Sequence, residues 1–208
     1  MSRATFRAIF WTVTDRPYHH GNLRPALLAQ AEQTLREHGL EALSLRELAR
    51  QTGVSHAAPR RHFPNRQALL DALAESGWRR LGAEVRAAGR GSGEYEARLR
   101  AANRAYVRFA TRDAALLELM FASQQGRQAP AVLEAATGTF SVLVELLEEG
   151  QAAGALEPGD PEPMALLMLA TLQGIAALAN TDIIAPNRIN RLIADATGRF
   201  LHGPRTLA

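Results

Sequence analysis

The chain has 208 residues, 47% hydrophobic and 22% charged, which suits one large or two small folded domains and argues against global disorder. It contains no cysteine, which excludes disulfides and thiolate chemistry, and all 24 basic residues are arginine, which excludes lysine-dependent chemistry such as a Schiff base. Residues 1–80 carry 12 arginines and 7 acidic residues, a net charge of +5, whereas residues 81–208 carry −2, so we expect an anionic partner for the first segment.

Residues 1–17 are predicted to form a flexible arm. The apolar run at 8–13 is too short for a secretory signal, and no small-residue cleavage site follows it. We interpret this segment as a mobile arm or as the product of a misplaced translation start.

Helical spacing of apolar residues continues along almost the whole remaining chain, and alternating strand patterns are absent. The pattern predicts an all-α fold with about nine helices. The predicted helices cover 23–38, 45–52, 56–62, 66–89, about 95–110, 113–122, 130–152, 162–181 and 187–202. The boundary between a front module, 18–66, and a rear module, 67–208, falls inside the long fourth helix.

Helix ends have recognisable signals in the front module. Asn22 is expected to cap the first helix, and Ser55 is expected to cap the third. Ser44 and Glu47 have the spacing of a capping box, in which the Ser44 hydroxyl accepts the Glu47 amide and the Glu47 carboxylate accepts the Ser44 amide.

The segment 44–66 has the pattern of a helix-turn-helix, two short helices joined through a glycine. Ala49 is small, which allows the second helix to cross it closely, and Gly53 suits the left-handed backbone of the turn. Basic side chains cluster around this motif: Arg46, His56, Arg60, Arg61, His62 and Arg66. The pattern indicates binding to nucleic acid, although any helical hairpin with a glycine turn would look similar.

The order and spacing of residues over about 18–75 resemble the DNA-binding domain of TetR/AcrR-type transcriptional regulators. The residues that carry the resemblance are Tyr18, His19, His20, Gly21, Asn22, Leu23 and Arg24, then 44–49, 53–59 and 61–63. The rear half resembles the family only in helix number and length. The resemblance implies a homodimer that binds a double-stranded, palindromic DNA operator and leaves it when a small effector binds in the rear module.

The resemblance also implies roles for single residues. Ser55, His56, Ala57 and Ala58 would contact bases or the adjoining backbone, and Ser44, Arg61, His62 and Arg66 would contact phosphates. Two positions depart from the family pattern: Arg60 stands where tyrosine is usual, and Arg66 where lysine is usual. Arginine also bonds phosphate and carries a charge, so we expect retained affinity with a steeper salt dependence.

The rear helices carry aromatic, methionine and amide side chains that are candidates for an effector pocket. At helical spacing such residues are more often core than pocket, but the resemblance favours a cavity that some of them line. The candidates are Trp78, Tyr106, Phe109, Met120, Phe121, Gln124, Phe140, Met168 and Gln173.

The predicted helix 162–181 is apolar nearly all round, so it needs burial on every face. Its longest apolar stretch, 164–179, is shorter than a membrane span, and a homodimer formed through the last two helices would bury the helix. Burial inside one subunit is the alternative. We therefore expect no membrane contact and a cytoplasmic location.

Enzyme functions have little support in the sequence. The histidines lack metal-ligand spacing with carboxylates, and we expect no cofactor and no catalysis. The preferred interpretation is an effector-responsive repressor. An activator or dual regulator would use the same residues, and a helical ligand-binding protein that has lost DNA binding is a further alternative.

Overall fold

The computed structural model describes residues 23–124 and 129–202, and within these ranges the chain forms nine α-helices and no strand. The helices are α1 (Leu23–His38), α2 (Leu45–Thr52), α3 (Ala58–His62), α4 (Arg66–Gly89), α5 (Tyr95–Arg112), α6 (Ala114–Ala122), α7 (Pro130–Ala152), α8 (Pro161–Asn180) and α9 (Pro186–His202). A short 3₁₀ helix, Leu40–Ala42, precedes α2. The predicted all-α class is confirmed.

Helices α1 to α3 pack around apolar side chains that are continuous with the core of the later helices. The predicted apolar face of α1 is buried, and α2 and α3 add their own apolar residues to it. The buried side chains are Leu23, Leu27, Ala31, Leu35, Leu43, Leu45, Leu48 and Phe63. Gly53 ends α2 with a φ of 69°, and the Val54 amide donates to the Ala49 carbonyl at 3.0 Å, so the tight turn forms as expected.

The helix ends differ from the predictions in two places. Helix α3 begins at Ala58 rather than at position 56, and it has no side-chain cap, so the predicted cap at Ser55 is wrong. The Ser55 carbonyl instead accepts the Ala58 amide at 2.9 Å, which closes a turn before the helix. Asn22, the predicted cap of α1, lies outside the described residues.

Only half of the predicted capping box is present at α2. The Ser44 hydroxyl accepts the Glu47 amide at 3.1 Å. The Glu47 carboxylate bonds the Arg50 guanidinium, with Arg50 Nε donating at 2.9 Å, because a charged donor competes well with a backbone amide.

Helix α4 connects the front helices to the rest of the molecule. Asn65 caps its start, where the side-chain oxygen accepts the Ala68 amide at 2.9 Å. Its apolar stripe is buried, and it packs mainly against α5, α6 and α7. At Gly77 an added Cβ would lie 2.6 Å from the Met120 sulfur, so the glycine lets α4 and α6 approach closely.

Helices α7 and α8 are long and apolar enough to cross a membrane by length and composition alone. Core helices of folded proteins meet the same criteria, and α7 packs against both α4 and α8. Helix α8 keeps one apolar face exposed: Leu166 and Leu167 are each 60% exposed and Leu178 is 41% exposed. On α9 the apolar residues Ile189, Leu192, Ala196 and Phe200 are half-buried, and Ile193 is fully buried.

Candidate DNA-binding surface and effector cavity

The helix-turn-helix presents basic side chains without partners to solvent. Arg46 on α2, and Arg60 and Arg61 on α3, are exposed and make no ion pair or hydrogen bond with any other described residue. His56 and His62 are exposed beside them. We call these five residues the recognition surface. Cations that have no internal partner are available to phosphate groups.

The small predicted contact residues lie on the same segment. Ser55 and Ala57 are exposed in the turn before α3, and Ala58 is half-buried at its first residue. These residues offer a hydroxyl and methyl groups but no long side chain, so they suit close backbone approach and methyl contacts with thymine.

Ser44 and Arg66 have structural partners. Ser44 is the N-cap of α2, although its own hydroxyl hydrogen remains available. Arg66 donates from Nε to the Leu43 carbonyl at 2.9 Å and from Nη2 to the Leu40 carbonyl at 2.7 Å. Its guanidinium therefore joins the start of α4 to the 3₁₀ turn that precedes α2.

A cavity of about 300 Å³ lies among α4 to α8. Its walls are mostly aromatic and aliphatic, and five of the nine candidate residues line it: Trp78, Tyr106, Phe121, Gln124 and Phe140. The Trp78 and Phe121 rings meet edge to face, with centroids 5.1 Å apart. Trp78 belongs to α4, so the wall of the cavity includes the helix that follows directly on the helix-turn-helix.

The other four candidates lie elsewhere. Phe109 and Met120 are fully buried in the core, and Met168 is also buried without reaching the cavity. Gln173 lies in a second concavity, of about 520 Å³, with residues of α6 and α8.

The remaining lining residues were not among the candidates. They are Val85, Ala136, Thr137, Thr139, Leu143 and Leu169. Ala136, Thr139 and Leu143 share one face of α7 with Phe140, at helical spacing. Reading that face outward from Phe140 could have identified them.

The polar groups of the cavity are neutral. Burial raises the pKa of the Tyr106 hydroxyl, so it stays protonated at neutral pH. The Tyr106 hydroxyl and the Trp78 indole nitrogen are both buried without a hydrogen-bond partner among the described residues. Thr139 is satisfied, because its hydroxyl lies 2.7 Å from the Trp78 carbonyl oxygen and 2.8 Å from that of Ala135.

A buried ion cluster joins α1 to the rear helices. Its centre is Asp113, whose side chain is 2% exposed and lies between α5 and α6. Arg36 Nη2 donates to Asp113 at 2.8 Å, Arg112 Nε at 2.8 Å and Arg80 Nη2 at 3.2 Å. Glu32 of α1 accepts two bonds from Arg80, at 2.8 and 2.9 Å. We call these five residues the junction cluster.

The cluster is also packed against an aromatic ring. The guanidinium carbons of Arg80 and Arg112 lie 5.2 and 5.5 Å from the centre of the Phe109 ring, which explains the burial of that residue. Burial raises the pKa of Asp113, but hydrogen bonds from Arg36 and Arg112 outweigh that effect and hold it below the usual value. Sequence reasoning missed the cluster because its members are distant along the chain.

Two family models match the chain. Residues 27–73 match the model described as bacterial regulatory proteins, tetR family, and residues 99–189 match a tetracyclin repressor-like C-terminal domain. Together the two matches span more than half of the chain. The first covers α2, α3 and most of α1, and the second extends from α5 to the beginning of α9.

Solved structures agree with this architecture over nearly the whole chain. A protein of unknown function from Rhodococcus sp. RHA1 is 44% identical with a TM-score of 0.83, and the match covers 92% of this chain and 100% of that one. A putative TetR-family transcriptional regulator from Rhodococcus sp. has a TM-score of 0.70 over 87% of this chain and 99% of its own. At 21% identity, that likeness supports the fold alone.

A curated relative, the tetracycline repressor protein class C of Escherichia coli, is 45% identical over 53 residues. This match covers 26% of the present chain and 24% of the repressor, so the chain matches about a quarter of that relative's length. The two family models, the helix-turn-helix and the helical rear half agree with one another, and the chain belongs to the TetR family of DNA-binding transcriptional regulators.

Proposed function

We propose that the protein is a cytoplasmic repressor that leaves its DNA operator when a small molecule occupies the cavity. One observation carries the proposal: α4 contributes Trp78 to the cavity wall and continues directly into the helix-turn-helix. A ligand and the DNA would therefore bias the same helix. We expect no catalysis and no cofactor.

The recognition surface would contact DNA in two ways. Arg46, Arg60 and Arg61 would bond phosphates, since they have no other described partner and arginine forms charge-assisted bonds with phosphate oxygens. His56, Ser55 and Ala57 would approach base edges in the major groove. Ser44 and Arg66 would contribute mainly by holding α2 and α4 in position.

A homodimer formed through α8 and α9 would bring two such surfaces onto one operator. The exposed apolar face of α8 supports this arrangement, because it carries Leu166, Leu167 and Leu178 and is uncharged from position 163 to position 178. Two half-sites must lie about 34–36 Å apart to meet successive major grooves. The operator is then expected to be palindromic.

The coupling between cavity and DNA would use two connections. One is α4 itself, and the other is the junction cluster, which binds α1 to α4 and to the turn between α5 and α6. A ligand that prefers a different α4 position lowers DNA affinity by its differential affinity for the two arrangements, and allosteric couplings of this kind are about 1–3 kcal/mol.

Selection of bound duplexes from a random-sequence pool tests the proposal. The intact protein is expected to enrich inverted half-sites about 10 base pairs apart, and its binding is expected to weaken steeply with salt. Arg90→Ala is the matched control for substitutions in the recognition surface. Arg90 is exposed and makes no ion pair, and it follows α4 at a distance of about 36 Å from the start of that helix. Absence of salt-dependent DNA binding by the intact protein would contradict the proposal.

A further inference from the structure

We propose that the ligand of this cavity is a neutral, largely apolar molecule that carries a hydrogen-bond acceptor, held by the indole N–H of Trp78 and the hydroxyl of Tyr106. This inference rests on the proposed function, because it specifies the chemistry of the effector. It concerns binding alone, and it can be tested without DNA.

The size of the cavity limits the ligand to a compact molecule. Its volume of about 300 Å³ lies at the small end of the range for ligand pockets, and corresponds to roughly ten water molecules. One or two fused rings with a short substituent fit this volume. The edge-to-face pair of Trp78 and Phe121, together with Phe140, supplies aromatic surfaces for a planar ligand.

The lining excludes a charged ligand. Among the described residues, every side chain that lines the cavity is uncharged at neutral pH, and the Tyr106 hydroxyl keeps its proton. An anion or a cation would lose its hydration without gaining a counter-charge, which is strongly unfavourable in an apolar site. Arg80, two residues after Trp78 on α4, is already bound to Asp113 and Glu32.

The polar groups favour a ligand with an acceptor. Indole nitrogen can only donate, and the Trp78 nitrogen has no acceptor within the described protein. The Tyr106 hydroxyl also lacks a partner. Buried polar groups are nearly always paired. Both side chains line the same cavity, and an acceptor on a bound molecule would complete their hydrogen bonding. Thr139 cannot serve as a third donor, because its hydroxyl is directed to backbone carbonyls.

Three probes of equal size and shape separate these requirements. Methyl naphthyl ketone is neutral and has an acceptor, naphthoate replaces the methyl group with a charged oxygen, and isopropenylnaphthalene replaces the carbonyl oxygen with carbon. Isothermal titration calorimetry with the full-length protein, free of DNA, measures each affinity. We expect the ketone to bind about tenfold more tightly than the alkene, and at least about a hundredfold more tightly than naphthoate.

Substitutions then locate the binding. Tyr106→Phe and Trp78→Phe are each expected to lower ketone affinity towards that of the alkene and to change alkene affinity much less. Tyr95→Phe is the matched control, since Tyr95 is also buried with an unpaired hydroxyl but does not line this cavity. The Tyr95→Phe variant should bind the ketone with the same affinity as the unmodified protein.

Each other outcome overturns the inference. Naphthoate binding as tightly as the ketone would show that charge is tolerated, and equal binding of alkene and ketone would show that the two donors are not used. Binding of none of the probes, or equal loss in Tyr95→Phe and Tyr106→Phe, would also contradict it. Because DNA is absent, these results stand apart from the operator selection, which tests the proposed function.

Discussion

The arginines of the recognition surface and the arginines of the junction cluster differ in whether they have a partner. Arg46, Arg60 and Arg61 are exposed and unpaired among the described residues. Arg36 and Arg80 share the carboxylates of Asp113 and Glu32, in a site where Asp113 is almost completely buried. One residue type is thus left exposed and unpaired in one region and built into internal ion pairs in the other, and the number of arginines alone cannot distinguish the two.

We expect the Asp113 carboxylate of the junction cluster to contribute strongly to the stability of the fold. Asp113→Ala removes the common acceptor of three guanidinium groups. We expect a loss of about 2–3 kcal/mol in the free energy of unfolding, less than for a fully buried pair, because the arginine side chains remain 35–46% exposed. Chemical denaturation measures it. Glu145→Ala, which breaks the exposed pair with Arg86, serves as the control and should cost less than about 1 kcal/mol. Equal losses of unfolding free energy in the two variants would contradict the difference between the junction cluster and an exposed ion pair.

The same carboxylate should make stability depend on pH in the acid range. Its pKa is lowered in the folded protein, so its ionised form stabilises the fold above the unfolded-state value near 3.8, and this contribution disappears as pH falls through the lower folded-state value. The difference in unfolding free energy between the unmodified protein and Asp113→Asn should therefore be constant from pH 5 upward and shrink below about pH 4. A difference independent of pH would mean that the carboxylate charge is not responsible.

The recognition surface is expected to affect DNA binding and leave stability nearly unchanged. Arg60→Ala combined with Arg61→Ala should weaken binding to a non-specific duplex about tenfold or more, and should reduce the slope of log affinity against log salt by about 2. Fluorescence anisotropy over a salt series provides both values. If the slope is unchanged, neither side chain contacts phosphate.

Arg66 shares one property with each region, because it is exposed to solvent and yet donates hydrogen bonds to two backbone carbonyls. Arg66→Lys keeps the charge but loses the planar fork, so we expect it to lower unfolding free energy by about 0.5–1 kcal/mol while leaving the salt slope unchanged. Arg46→Lys is the matched control, because Arg46 has no internal partner to lose. A change in the salt slope, with stability intact, would instead assign Arg66 to DNA.

The sequence predicts elements that depend on local patterns. The boundaries of α1, α2 and α4 agree with the predictions because apolar spacing, caps and Gly53 act over a few residues. The start of α3 was misplaced, since Ser55 uses its carbonyl to close a turn rather than its hydroxyl to cap a helix. Competition between alternative local hydrogen bonds is difficult to resolve without the surrounding structure.

The cavity and the junction cluster depend on contacts between distant parts of the chain. Arg36 and Asp113 are 77 residues apart, and only the packing of α1 against α6 brings them together. Likewise, aromatic residues at helical spacing were equally compatible with core and cavity, and the packing of five helices separates Phe109 from Phe121. A single sequence has no local signal for these arrangements.

The position of Trp78 has an experimental consequence. The chain has two tryptophans, Trp11 and Trp78, so Trp11→Phe leaves an indole in the cavity wall as the single intrinsic fluorophore of its kind. Indole emission shifts with the polarity and hydrogen bonding of its surroundings. Occupancy of the cavity can therefore be followed in real time by emission wavelength, without a label, at the helix that continues into the helix-turn-helix.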